Sequence, residues 1–147
     1  MGRLLGLDVG RKRTGMAVTD PLRIIPDGMG YASTGEIPNK VRDYCQREEV
    51  DAIIIGLPKQ ADNTPSESEK YITPLINRLR KLLPTMPIIR YDERFTSVIA
   101  NRTLVESGMG RMKRREKGLV DEISAVIILR DFLESRTYRE MQERGEI

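Results

Sequence analysis

Apolar residues in the first part of the chain fall into short runs, not helical stripes. Arg3 to Val9 is largely apolar and closes at Gly10; Thr14 to Thr19 is a second run, ended by Asp20-Pro21, with Arg11-Lys12-Arg13 between them. Two such runs across a short polar turn predict a β-hairpin. A third extended stretch, about Ile24 to Ala32, contains Pro26 and two glycines, as an irregular edge strand does. The period then changes. Ile37, Val41, Tyr44 and Cys45 lie on one helical stripe, with Pro38 suited to its first turn. Asp51 to Pro58 is a continuous β-branched run, as in a strand buried on both faces.

Ser66-x-x-Glu69 reads as a capping box opening a helix with Ile72, Leu75, Ile76, Leu79, Leu82 and Leu83 on its apolar face, and Pro74 predicts a kink or a late start. Met86 to Tyr91 predicts a further strand that runs into Asp92-Glu93-Arg94. A helix over Thr96 to Ser107 is stopped by Gly108 and Gly110, and a last one over Leu119 to Leu133 is apolar nearly all round apart from Asp121, Glu122, Ser124, Arg130 and Asp131. This order predicts an α/β fold: one mixed five-stranded sheet, three antiparallel strands first, with helices on both faces. The segment of about 109–118 reads as a basic, mobile loop, and the charged tail of about 134–147 as solvated.

Length and composition narrow the function. At 147 residues the chain fits a single domain, and 39% apolar residues suffice for a core despite 32% charged ones. There is no histidine, which excludes Ser-His-Asp triads, Cys-His dyads and His-ligated zinc. A lone Cys45 cannot form an internal disulfide and reads as a small buried residue. No run is long enough for a membrane span, and the apolar start meets Asp8 and three basic residues instead of a cleavage site, so a reducing, cytoplasmic setting is expected.

Three acidic positions lie where acids are locally costly: Asp8 at the end of the first strand, Asp92-Glu93 at the end of a later one, and Asp121 at the start of the most apolar helix. Turn chemistry or a helix dipole accounts for any one of them alone. Together they suit a carboxylate site for Mg²⁺ or Mn²⁺, hard ions that take oxygen ligands and can activate water for phosphodiester hydrolysis without histidine. Either Asp92 or Glu93 fits as the middle ligand. Gly10 to Gly15 has the glycine spacing of a phosphate loop, but Met16-Ala17 follows it, so the lysine and hydroxyl are missing. Basic residues flank the acids: Arg11, Lys12 and Arg13 after Asp8, Arg94 after Glu93, and Arg111, Lys113, Arg114, Arg115 and Lys117 before Asp121. Such a ring suits a nucleic acid backbone, and the scarcity of aromatics disfavours base stacking.

Leu5-Gly-Leu-Asp-Val-Gly10, Lys12-Arg13-x-Gly15-x-Ala17, Gly56-Leu-Pro58, Asp92-Glu-Arg-x-Thr96-Ser97 and Val120-Asp121-x-x-Ser124-Ala125-Val-Ile-Ile-Leu129 together resemble the successive signatures of the YqgF/RuvX family, over about Arg3 to Leu133. The resemblance implies a ribonuclease H-like fold related to Holliday-junction resolvases, in a cytoplasmic bacterial nuclease that matures the 5′ end of pre-16S ribosomal RNA. It carries the family's acidic positions onto Asp8, Glu93 and Asp121, and it implies nucleic acid, with the ribosome, as partner. Asn63 stands where the family commonly has glycine, a departure that bears on loop detail. A DNA-junction resolvase, a noncatalytic RNA-binding assembly factor and an actin-like phosphotransferase are the competing functions. The last is disfavoured because such enzymes clamp nucleotide between two domains.

Overall fold

Five strands form one sheet: β1 (Arg3–Val9), β2 (Arg13–Thr19), β3 (Pro26–Ser33), β4 (Val50–Leu57) and β5 (Ile88–Asp92), in the spatial order β3-β2-β1-β4-β5. The first three pair antiparallel, whereas β4 pairs parallel with β1, and β5 parallel with β4. The computed structural model describes residues 1–58, 66–92 and 114–147, with side chains from residue 118 onward in the last stretch. The mixed sheet, three antiparallel strands first, is as the hydrophobic pattern predicts. The helix expected over Thr96 to Ser107 lies outside the described residues.

Strand alternation divides the core in two. Leu5, Leu7, Val9, Ile53 and Ile55 face one side, where they meet Ile37 and Val41 of α1 (Ile37–Arg47) and Ile72, Leu75, Ile76 and Leu79 of α2 (Glu69–Leu82). Leu4, Ala17, Ala52 and Ile54 face the other, under Ala125, Ile128, Leu129 and Phe132 of α3 (Arg114–Leu133). Cys45 packs at the edge of the first layer, and burial pushes its thiol up, as befits an inert side chain.

Four local expectations change. First, Ser66 is not a reciprocal cap: its hydroxyl accepts from the Ser68 amide at 3.0 Å, while Glu69 turns to Arg90 in a two-armed ion pair at 2.9 and 2.8 Å. The fixed fork of a guanidinium matches both carboxylate oxygens, a better partner than one backbone amide. Secondly, α2 begins at Glu69 and includes Pro74, so the late start that Pro74 allowed does not occur. Thirdly, α3 begins at Arg114 and not near Leu119, so the second half of the expected basic loop has helical backbone. Gly118, inside that helix, lets it cross the ring of Tyr31, which a side chain at 118 would strike. Fourthly, the tail is not simply solvated. Ser135 caps α4 (Arg136–Glu143), its hydroxyl accepting from the Tyr138 amide at 3.1 Å. Tyr138 is buried against Phe132, ring centroids 5.4 Å apart. No helix among the described residues is long and apolar enough to cross a membrane.

Candidate active site

Asp8 is the penultimate residue of β1 and shares the α3 side of the sheet with Leu4 and Gly6. Its cross-strand partner is Gly15. Residues directly opposite in an antiparallel pair point to the same face, and on that face a Cβ at Gly15 would overlap the backbone carbonyl of Asp121. Glycine here is thus a packing requirement: it lets α3 settle onto β2 so that Asp121 comes down beside Asp8. Gly6 does the same further along, beneath Ala125 and Leu129. Of the glycines that invite a phosphate-loop reading, Gly15 is taken up by the protein's own helix and Gly10 by its own turn, where a Cβ would strike the Arg13 carbonyl.

Asp8 is 5% exposed, an unusual position for a carboxylate. Arg13, on the same face of β2, brings its Nε to 3.8 Å from Oδ2 of Asp121; that Nε is buried and has no hydrogen-bond partner. Buried charges of both signs thus meet where β1, β2 and α3 converge. The turn that carries Arg11 and Lys12 is fixed, not floppy. The Gly10 amide donates to the Arg13 carbonyl at 2.9 Å, the Thr34 amide donates to the Lys12 carbonyl at 3.0 Å, and the Thr34 hydroxyl donates to the Gly10 carbonyl at 2.6 Å. Both Arg11 and Lys12 side chains are exposed there.

Asp92 falls elsewhere. Ile89 and Tyr91 pack on the α3 side, while Arg90 turns to Glu69 of α2, so alternation sets Asp92 with Arg90, across the sheet from Asp8. Glu93, Arg94, Arg111 and Lys113 lie outside the described residues, as do the side chains of Arg114, Arg115 and Lys117. Among the described residues no three acids cluster as a metal site. Of the expected acids, Asp8 is the cross-strand partner of Gly15, and the backbone of Asp121 lies over that same glycine.

At the ends of β1 and β4, beside the start of α2, a cleft of about 100 Å³ is lined by Asp8, Gly10, Gly56, Ser68 and Tyr71 among others. Arg11 sits over the Tyr71 ring, 6.0 Å from its centroid, and the Tyr71 hydroxyl donates to Ser68 at 3.0 Å. Sequence reading missed Tyr71 and Ser68. Ser68 is the residue before α2 and Tyr71 lies in its first turn, partly buried against the core, and nothing local marks either.

Comparison with known proteins identifies the family. The family model described as RuvX, Holliday junction resolvase, matches residues 2–135. A protein of Parabacteroides distasonis named "Putative pre-16S rRNA nuclease" is 48% identical over 139 residues, covering 95% of this chain and 99% of its own. Its namesake in Porphyromonas gingivalis is 51% identical over 135 residues, covering 92% and 98%. Among solved structures, Thermus thermophilus RuvC in complex with a Holliday junction substrate superposes with a TM-score of 0.57 at 14% identity, over 91% of this chain and 96% of that one, which shows a common ribonuclease H-like fold. With nearly full-length matches at this identity, the family signatures read from the sequence are borne out, and the chain belongs to the RuvX family.

Proposed function

We propose that this protein is a divalent-metal-dependent nuclease that cuts phosphodiester bonds of nucleic acid in the cytosol, with the 5′ end of pre-16S ribosomal RNA as substrate. The observation that supports the reading is that Gly15 pairs with Asp8 and lies under the backbone carbonyl of Asp121, with Arg13 beside Asp121. A nearly buried carboxylate with a second acid carried to the same glycine is an oxygen donor set that suits a hard cation. Asp8 and Asp121 are the residues that would hold Mg²⁺ or Mn²⁺. Glu93, the acid that the family signature Asp92-Glu-Arg-x-Thr96-Ser97 supplies, completes the set. When bound, such an ion supplies Lewis acidity to activate water and to stabilise the leaving oxygen.

The chain's own cations divide the remaining work. Arg13 balances Asp121, while Lys12 on its braced turn and Arg94 contact phosphate. Arg111, Lys113, Arg114, Arg115 and Lys117, leading into the helix that carries Asp121, hold the flanking backbone. The test is Mg²⁺-dependent cleavage of precursor ribosomal RNA against a four-way DNA junction, with Asp8→Asn as control. Preferred cleavage of the RNA, abolished in the variant, supports the reading; activity retained in Asp8→Asn defeats it. Preference for the junction favours the second reading, a DNA resolvase, which the family's description supports.

A further inference from the structure

At the end of the sheet away from Asp8, the β2–β3 connection is built in an unusual way. Asp20 gathers it: one carboxylate oxygen accepts from the amides of Ile24 and Ile25, each at 2.8 Å, and the other accepts from Leu22 at 3.1 Å. Arg23, between them, adopts a left-handed backbone, φ 58°, and turns inward. Its guanidinium donates to the Gly2 carbonyl at 2.8 Å and to Asp51 at 2.6 Å, and reaches Tyr138 Oη at 3.4 Å. With the charged member buried, the apolar members stand out. Leu22, Ile24 and Ile25 are 65%, 66% and 61% exposed, an inversion of the usual arrangement held by a strained residue and six hydrogen bonds. A loop that only connected two strands would need none of this.

We infer that this loop is a docking knob for a basic protein that offers an apolar pocket, and that it seats the enzyme on the protein component of its substrate particle. Three aliphatic side chains on one short loop supply far less than the roughly 800 Å² per partner of a standard interface, which disfavours a stable pair of identical chains and suits a small anchored contact. The surrounding charge selects the partner. Asp27 follows the loop and Glu49 lies against Gly2 beside it, both exposed, while Arg23 is buried and Arg3 is taken up by Glu48 at 3.7 Å. Carboxylates around an apolar knob repel a nucleic acid backbone and attract lysine and arginine on a protein. The inference rests on the ribosomal RNA reading, because such RNA is met in company with basic ribosomal proteins. With the knob at one end of the strands and the acids at the other, the protein can grip a protein with one end and cut RNA with the other.

The experiment compares two probes: a protein-free RNA containing the precursor 5′ end, and the same RNA assembled with small-subunit ribosomal proteins. The variant is the triple substitution Leu22→Ser, Ile24→Ser and Ile25→Ser, whose side chains support no core. It should bind free RNA within twofold of wild type and the assembled particle about tenfold or more weakly. A second variant, Asp27→Lys with Glu49→Lys, keeps the knob and should also lose affinity for the particle. Equal losses on both probes, no loss on the particle, tighter particle binding by the lysine variant, or a wild-type dimer dissolved by the serine substitutions would each overturn the inference. Failure of the nuclease reading shows separately, as wild-type protein that binds free RNA and leaves it uncut in Mg²⁺.

Discussion

Gly15 lies directly beneath the backbone carbonyl of Asp121, so close that no β-carbon fits between strand and helix. How closely the helix that carries Asp121 approaches the hairpin that carries Asp8 is therefore set by a missing side chain on a third residue. Gly15→Ala must push α3 off the sheet. Overpacking of this kind costs about 1–3 kcal/mol, and here the displacement falls on the residue that carries the carboxylate. The expected result is a lowered unfolding midpoint together with a fall in cleavage larger than the lost stability explains, measured by denaturant titration and by cleavage well below the midpoint.

Asp8→Asn separates chemistry from folding. It removes one of two neighbouring negative charges, so the metal-free protein should be as stable as wild type or more so, while cleavage disappears. Thermal unfolding with and without Mg²⁺ checks both: wild type should gain stability from the ion and the variant should not.

Arg23 and Asp51 form the strongest test of the far end of the sheet. Arg23 is 5% exposed, whereas the Asp51 side chain is about a third exposed at 30%, so the pair is only half desolvated. Arg23→Ala leaves the Gly2 carbonyl, Asp51 and Tyr138 short of a donor and should cost about 2–4 kcal/mol in urea unfolding. The double change with Asp51→Ala should cost clearly less than the sum of the two single changes.

Asp20 predicts a pH effect. Donation from the Ile25 amide, and then from those of Ile24 and Leu22, holds its carboxyl below the ordinary value of 3.8, against a smaller opposing effect of desolvation. A carboxyl depressed by folding favours the folded loop above its unfolded pKa, and that preference is lost as the pH falls through the folded value. Amide proton shifts of Leu22, Ile24 and Ile25 should therefore move together below pH 3.8, and Asp20→Asn should abolish the transition.

The basic segment before Asp121 predicts a salt effect. Replacing Arg111, Lys113, Arg114 and Arg115 with Ala should weaken binding to all sequences alike. The salt dependence should flatten by roughly 0.7 to 0.9 log units of slope per lost phosphate contact. An unchanged slope in a filter-binding titration would remove these residues from the interface.

Periodicity sufficed for the strand order and for both helical layers, because each strand carries its own alternation and each helix its own stripe. It failed where the reason for a residue lies in another element. Gly15 and Gly118 answer to Asp121 and Tyr31 across the fold, and nothing near them in the chain says so. Glu69 looks like a cap because its partner, Arg90, belongs to the next strand. Tyr138 is one apolar residue in a charged tail, though Ser135 three positions earlier is a cap signal that could have marked the helix. In the candidate site, Asp8 and Asp121 were legible as acids out of place. That Asp92 turns toward α2 required the register of β5 against its neighbours.

The sheet is shared unevenly along the chain. Its central strand precedes the other four in the chain, yet among the described residues one face of β1, β2 and β3 is covered by α3, more than 80 residues after β3. An emerging polypeptide therefore displays Asp8 on an open, uncovered hairpin long before Asp121 exists to join it. Assembly of the two is a long-range event, slow to occur and impossible until the segment carrying Asp121 has been made. For a protein proposed to cut ribosomal RNA, this topology acts as a built-in delay: a partly made chain, still tethered beside the RNA of the machine that makes it, has no complete site with which to cut.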